Sequence, residues 1–147
     1  MNAPNQTPSI HASCVLVGAR AVLVRGPSGA GKSRLALRLI QAAERGEIPF
    51  ARLVSDDRTL LAASHGRLLA RPAPQLAGMI EIRGSGIARM PHEAAAVVSL
   101  VVDLGAPGER LPEQASIELE GITVPNLVVP PEADPLPLVL AKLVRAA

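Results

Sequence analysis

A chain of 147 residues, 48% apolar and 19% charged, has the size and balance of one folded domain and not of a disordered polymer. Its net charge is only +2 and Phe50 is its sole aromatic residue, which excludes a strong nucleic-acid field and base stacking on aromatic platforms. One cysteine, Cys14, excludes an internal disulfide framework and a cysteine-based zinc cluster.

Residues 1–8 are polar and contain two prolines, and are expected to be a disordered lead to a domain over residues 9–147. No secretory signal is read in Met1–Ser13, and no apolar run is long enough to span a bilayer. A cytoplasmic protein without a membrane partner is therefore expected. Cys14–Val17 and Ala21–Val24 flank Gly18, the pattern of a hairpin. From Ser33 to Ala43 the apolar positions Leu35, Ala36, Leu39, Ile40 and Ala43 repeat with helical period, and Gly46 lies just past the end. Leu53-Val54 reads as a short buried strand running into Ser55-Asp56-Asp57. Thr59–Ala63 and Arg67–Ala70 predict a hairpin across Ser64-His65-Gly66. Met79–Ile82 predicts a strand ending in Gly84-Ser85-Gly86, with Glu81 and Arg83 on one face. Ala94–Leu104 ends in an apolar run expected to be a central strand, followed by a loop over residues 105–112. Ser116–Leu119 and Ile122–Val124 predict a hairpin across Glu120-Gly121, and Leu136–Arg145 a C-terminal helix. Many strands and few helices make an α/β domain with a mixed sheet.

Gly26-Pro27-Ser28-Gly29-Ala30-Gly31-Lys32-Ser33 fits G-x-x-x-x-G-K-[ST] completely, after a predicted strand and opening a predicted helix. At this composition a chance match anywhere in the chain is on the order of one in a thousand. The physics is direct: glycines let backbone amides turn inward around a phosphate, and the helix N-terminus adds partial positive charge. Lys32 can reach the terminal phosphates, and the Ser33 hydroxyl can ligate Mg²⁺. The loop alone does not separate a kinase from an ATPase, a GTPase or a nucleotide sensor.

Asp56-Asp57 ends an apolar strand 23 and 24 residues after Ser33. Two adjacent carboxylates can divide the work between holding a metal and taking a proton from an acceptor hydroxyl. Glu81 and Arg83 could serve metal and phosphate, although by pattern alone a solvated strand face with a surface ion pair is the better explanation. His65 and His92 read as turn and loop residues, no pair of histidines has zinc spacing, and Cys14 reads as a small buried hydrophobe.

Taken in order, these pieces resemble the catalytic domain of HPr kinase/phosphorylase. Ser9-Ile10-His11 precedes the hairpin, Gly26–Ser33 follows, and Leu53-Val54-Ser55-Asp56-Asp57 is similar to that family's acidic strand end. Ile80-Glu81-Ile82-Arg83-Gly84-Ser85-Gly86-Ile87 is similar to its signature. Glu109-Arg110-Leu111 resembles its arginine loop, and Val124–Pro130 its late proline-containing strand. The likeness covers roughly residues 9–130. It implies the short form with the catalytic domain only.

The resemblance implies a fold similar to the nucleotide domain of phosphoenolpyruvate carboxykinase. It implies a Mg²⁺- and ATP-dependent kinase acting on a regulatory serine of HPr, the small phosphocarrier of the sugar phosphotransferase system. It also implies the reverse phosphorolysis by inorganic phosphate and a homo-oligomer, typically a hexamer. Carried onto this sequence, Lys32 would hold the transferring phosphate, while Ser33, Asp56 and Glu81 would face Mg²⁺. Asp57 would be the base, and His11 and Arg110 would contact phosphates, with Arg83 beside them in the signature. The chain departs from the family at Ala12 in place of glycine and at Arg34 in place of an acid. It departs again at Pro131-Glu132-Ala133-Asp134, in place of a Pro-Gly-Arg-Asn loop linked to dephosphorylation. Weakened or lost phosphorolysis is the expectation. Two other readings use the same loop: a small-molecule kinase or ATPase, and a nucleotide-binding regulatory module acting through a partner protein.

Overall fold

The computed structural model describes residues 9–105 and 116–146. The expected lead and most of the loop after Gly105, Arg110 included, lie outside the described residues.

The architecture is built around β9 (Ala96–Leu104), whose apolar run is buried at most positions. Such a strand needs partners along both edges and cover on both faces. β3 (Arg20–Arg25) runs parallel to it on one edge, with Leu23 beside Val101 and Arg25 beside Asp103. The other edge is shared. β6 (Arg67–Pro72) pairs antiparallel with the start of β9, and β11 (Ile122–Val129) runs parallel to its end. β2 (Ala12–Val17) joins β3 by the predicted hairpin, and β4 (Ala51–Ser55) pairs antiparallel with β2. β5 (Thr59–Ser64) pairs with β6, the two-residue β1 (Ser9–Ile10) with β5, and β10 (Ser116–Leu119) with β11. Among the described residues the main sheet thus has nine strands, parallel and antiparallel, as the mixed-sheet reading expects.

The sheet has an apolar layer on each face. One gathers Val15, Val22, Val24, Leu53, Leu100 and Val102 against Leu35, Leu39 and Ile40 of α1 (Lys32–Glu44), with Leu136 and Val139 of α2 (Pro135–Ala146). The other gathers Cys14, Leu23, Val54, Leu61, Leu68 and Val124. Alternate residues of β2 and β3 feed opposite layers, as a period of two demands. Burial among these side chains pushes the Cys14 thiol up, far from thiolate chemistry, which suits a packing residue.

Three local readings change. β7 (Met79–Ile82) stops at Ile82, so Arg83 sits in the turn with Gly84 and Ser85 and does not share a strand face with Glu81. The chain then continues as β8 (Gly86–Arg89), which pairs with β7 to form a separate two-stranded sheet. β11 runs on to Val129, because its second half adds to the edge of β9.

Candidate functional site

The site lies where β3 ends, α1 begins and β4 ends. β3 delivers the chain to Gly26, whose α-carbon faces the Leu104 carbonyl so closely that a β-carbon there would stand 2.8 Å from that oxygen. Only glycine lets the loop pass the end of β9. The chain turns back through Gly31, at φ 101°, into the first turn of α1. That left-handed step places the helix N-terminus at the mouth of the loop, where unpaired amides and the helix dipole favour an anion. The Lys32 ammonium is buried and donates to the carbonyls of Gly26 and Pro27 at 2.8 and 3.1 Å.

Asp56 and Asp57 are neighbours in sequence and opposites in surroundings. Asp56 is buried. Its Oδ1 accepts from the hydroxyls of Ser13 and Ser33, each at 2.7 Å, and its Oδ2 accepts from the Glu81 amide at 3.1 Å. Asp57 has a side chain 64% exposed. Its backbone is left-handed, φ 67°, in a turn closed by the Arg58 amide on the Asp56 carbonyl at 2.7 Å. Asp tolerates such a φ better than most residues, and strained φ values cluster where a side chain must be aimed. The Asp57 carboxylate is paired with the imidazole Nε2 of His11, which stands between β1 and β2.

Beside the loop lies a cavity of about 270 Å³, lined by Pro27–Ala30, Leu104, Gly105, Val129–Pro131, Ala133 and Pro135. Its lining side chains are apolar except at Ser28, and backbone polar groups share the wall with them. The loop before α2 is anchored to α1: Asp134 accepts two bonds from the Arg38 guanidinium, at 2.6 and 3.2 Å, and a third from the Leu136 amide. The Arg38 hydrogen bond holds the Asp134 carboxyl below the usual carboxylate range.

The arrangement offers hard oxygen donors, the Ser33 hydroxyl and the Asp56 carboxylate, at the end of a phosphate-sized loop. Among the described residues no group of three or more His, Cys, Asp or Glu side chains converges as a protein-only metal cage. That combination fits Mg²⁺, which takes one or two protein oxygens and completes its octahedron with phosphate and water.

The family model described as HPr Serine kinase C-terminal domain matches residues 3–133. The chain belongs to this family. The HPr kinase/phosphorylase of Limosilactobacillus reuteri is 34% identical over 139 residues, covering 83% of this chain and 40% of that protein. The Streptococcus thermophilus protein of the same name is 35% identical over 136 residues, with 83% and 42% covered. This chain therefore spans about 40% of the length of the curated relatives it matches. The structure of the Hpr(Ser) kinase/phosphatase from Coxiella burnetii superimposes with a TM-score of 0.75 at 28% identity, covering 95% of each chain.

Among the residues that the sequence singled out, the structure brings together His11, Lys32, Ser33, Asp56, Asp57 and the backbone of Glu81. Glu81 and Arg83 have exposed side chains on the β7–β8 hairpin. Three features were not read from the sequence. Ser13 is fully buried against both aspartates. Arg25 makes a two-pronged bond with Asp103 at 2.8 and 2.9 Å, and the Asn126 amide group donates to Asp103 at 3.0 Å. Arg38 pairs with Asp134. All three join residues tens of positions apart, and only the sheet register or helix packing discloses them.

Proposed function

We propose that this chain is an ATP- and Mg²⁺-dependent protein-serine kinase whose acceptor is HPr or a related phosphocarrier, with phosphorolysis weak or lost. One observation carries the reading. The Gly26–Ser33 loop ends on a serine hydrogen-bonded to a buried aspartate, and the next residue, Asp57, turns an accessible carboxylate outward.

The roles follow from these surroundings. Amides of Gly29–Ser33 and the ammonium of Lys32 would hold the donor's phosphates, and the cavity beside Pro27–Ala30 gives room for its nucleoside. Ser33 and Asp56, with Glu81 nearby, would hold Mg²⁺, which when bound neutralises charge on the phosphates. Asp57 would accept the proton of the serine hydroxyl as its oxygen attacks the terminal phosphorus of ATP and the bond to the departing ADP breaks, with His11 orienting the carboxylate and, with Arg110, touching phosphate. Arg83, in the turn of the β7–β8 hairpin, would add a guanidinium for phosphate. In a loose transition state, positioning and charge supply most of the acceleration. The likeness to the phosphoenolpyruvate carboxykinase nucleotide domain, a hexameric assembly and a cytoplasmic location belong to the same proposal.

The reverse reaction requires inorganic phosphate as acceptor. Here the family's Pro-Gly-Arg-Asn loop is Pro131-Glu132-Ala133-Asp134, two acids in place of a glycine and an arginine. Asp134 is tied to Arg38 of α1, and Glu132 is exposed close to the cavity. Negative charge there repels a phosphate dianion.

The test is transfer from Mg-ATP to purified HPr from the same cell, read as a mass shift of the acceptor, with Lys32→Ala as control. A shift that maps to the regulatory serine and needs Lys32 is expected. ATP binding without transfer would overturn the kinase reading and favour the regulatory module. Phosphorolysis as fast as phosphorylation would overturn the reading of the Glu132–Asp134 loop.

A further inference from the structure

We infer that Ser13 is the positioning residue of the two aspartates, a hydroxyl bridge that sets Asp56 against Ser33 and fixes the backbone from which Asp57 is aimed. This rests on the roles proposed above for Asp56 and Asp57.

Ser13 is on β2, between Ala12 and Cys14, in a strand otherwise apolar and with no exposure of its own. A hydroxyl there needs partners, because no solvent can serve it. It has two. Ser13 Oγ donates to Asp56 Oδ1 at 2.7 Å, and the Asp57 amide donates to Ser13 Oγ at 3.3 Å. The polarity of this chain is fixed by its ends. An amide can only donate and an ionised carboxylate can only accept, so the hydroxyl between them must do both. Its single proton is committed to Asp56.

The bridge acts on each aspartate differently. Asp56 Oδ1 receives two hydroxyl protons, one from Ser13 and one from Ser33. Ser33 sits on the loop that the donor would occupy, whereas Ser13 sits on the sheet. Ser13 thus holds the carboxylate to a fixed part of the molecule whatever Ser33 does. At Asp57 the bridge anchors the amide of a residue whose φ is 67°. With that amide unpaired, the turn loses a contact that keeps the left-handed step in place.

The test compares the native protein with Ser13→Ala and Ser13→Thr, the second keeping the hydroxyl. Two quantities are measured: the Mg²⁺ concentration that half-saturates binding of a fluorescent ATP analogue, and kcat against KM for transfer to HPr. Loss of a hydrogen bond to a charged group should raise the Mg²⁺ half-saturation and lower kcat by about tenfold each in Ser13→Ala. The KM for HPr stays within about twofold, and Ser13→Thr recovers most of both losses. A folded Ser13→Ala protein with native Mg²⁺ dependence and native kcat overturns the inference. So does a Ser13→Thr protein as impaired as Ser13→Ala. If Ser13→Ala does not fold, Ser13→Val against Ser13→Thr decides, since the two differ only in methyl for hydroxyl: equal Mg²⁺ dependence overturns the bridge. Absence of transfer by the native protein defeats the kinase reading, and the Mg²⁺ arm still decides on Ser13.

Discussion

The Gly26–Ser33 loop is tied to the sheet at both ends, by polar clusters of different construction. At its far end Ser33, Ser13 and the Glu81 amide converge on Asp56, with Asp57 one residue on. At its near end Arg25 grips Asp103, which also accepts from Asn126. The far cluster is buried at its centre, Asp56 and Ser13, is built from short groups, and each Asp56 oxygen has its partners. The near cluster is about a quarter exposed at Arg25 and Asp103, and among the described residues Asn126 Oδ1 has no partner. Short hydroxyls with one proton each fix the orientation of a carboxylate. A guanidinium fork fixes a distance between two strands, and water can replace part of it. The first construction suits a carboxylate that must face one direction, the second a tie between β3, β9 and β11.

The sharpest test separates chemistry from support. Asp57→Asn keeps the size of the exposed side chain and removes the proton acceptor, so transfer should fall by about 10²–10⁴-fold. The melting temperature should not move. A parallel loss of both would put Asp57 among the supports. Next comes Asp56→Ala, which takes the acceptor from three donors, the Ser13 hydroxyl among them fully buried, and should cost about 3 kcal/mol in urea unfolding. Asp103→Ala, measured in the same way, should cost about 1 kcal/mol, because its ion pair is partly solvated. Equal costs for the two would erase the contrast between the clusters.

The smallest effect belongs to the tie between Arg38 and Asp134, whose side chains are 30% and 53% exposed. The Asp134 carboxyl is held below its ordinary value, so the ionised form is favoured by folding. Its contribution is complete above the unfolded value of about 4 and is lost as the pH falls through the lowered folded value. Melting curves of native and Arg38→Ala proteins should therefore differ slightly near neutrality and converge in strong acid. A difference that grows with acid would contradict the sign.

How much of this was legible in the sequence depended on the range of each interaction. The loop motif, the α1 stripe of Leu35, Leu39 and Ile40, and the hairpins are local patterns, and the structure has them where they were expected. Asp56-Asp57 stood out through its distance from Ser33, yet nothing in the sequence said which carboxylate would be buried. That follows from register: Cys14 pairs with Ser55 across β2 and β4, which brings Ser13 beside Asp56. Ser13 itself is one hydroxyl in an apolar strand, without periodicity or motif to mark it. β8 was missed because Gly86-Ile87-Ala88-Arg89 is short and begins in a glycine turn, and only pairing with β7 makes it a strand.

The close approach of Gly26 to the Leu104 carbonyl has a consequence for the order of folding. Gly26 comes early in the chain, and the wall that it leans on is some eighty residues downstream, at the end of a strand whose pairing with β3 closes a long loop. Such non-local parallel pairings form late, after the local hairpins and helix. During synthesis the binding loop therefore leaves the ribosome complete in sequence and without its template. A nascent chain that ends before Ala96 carries every residue of the motif and lacks the surface against which the motif takes its shape.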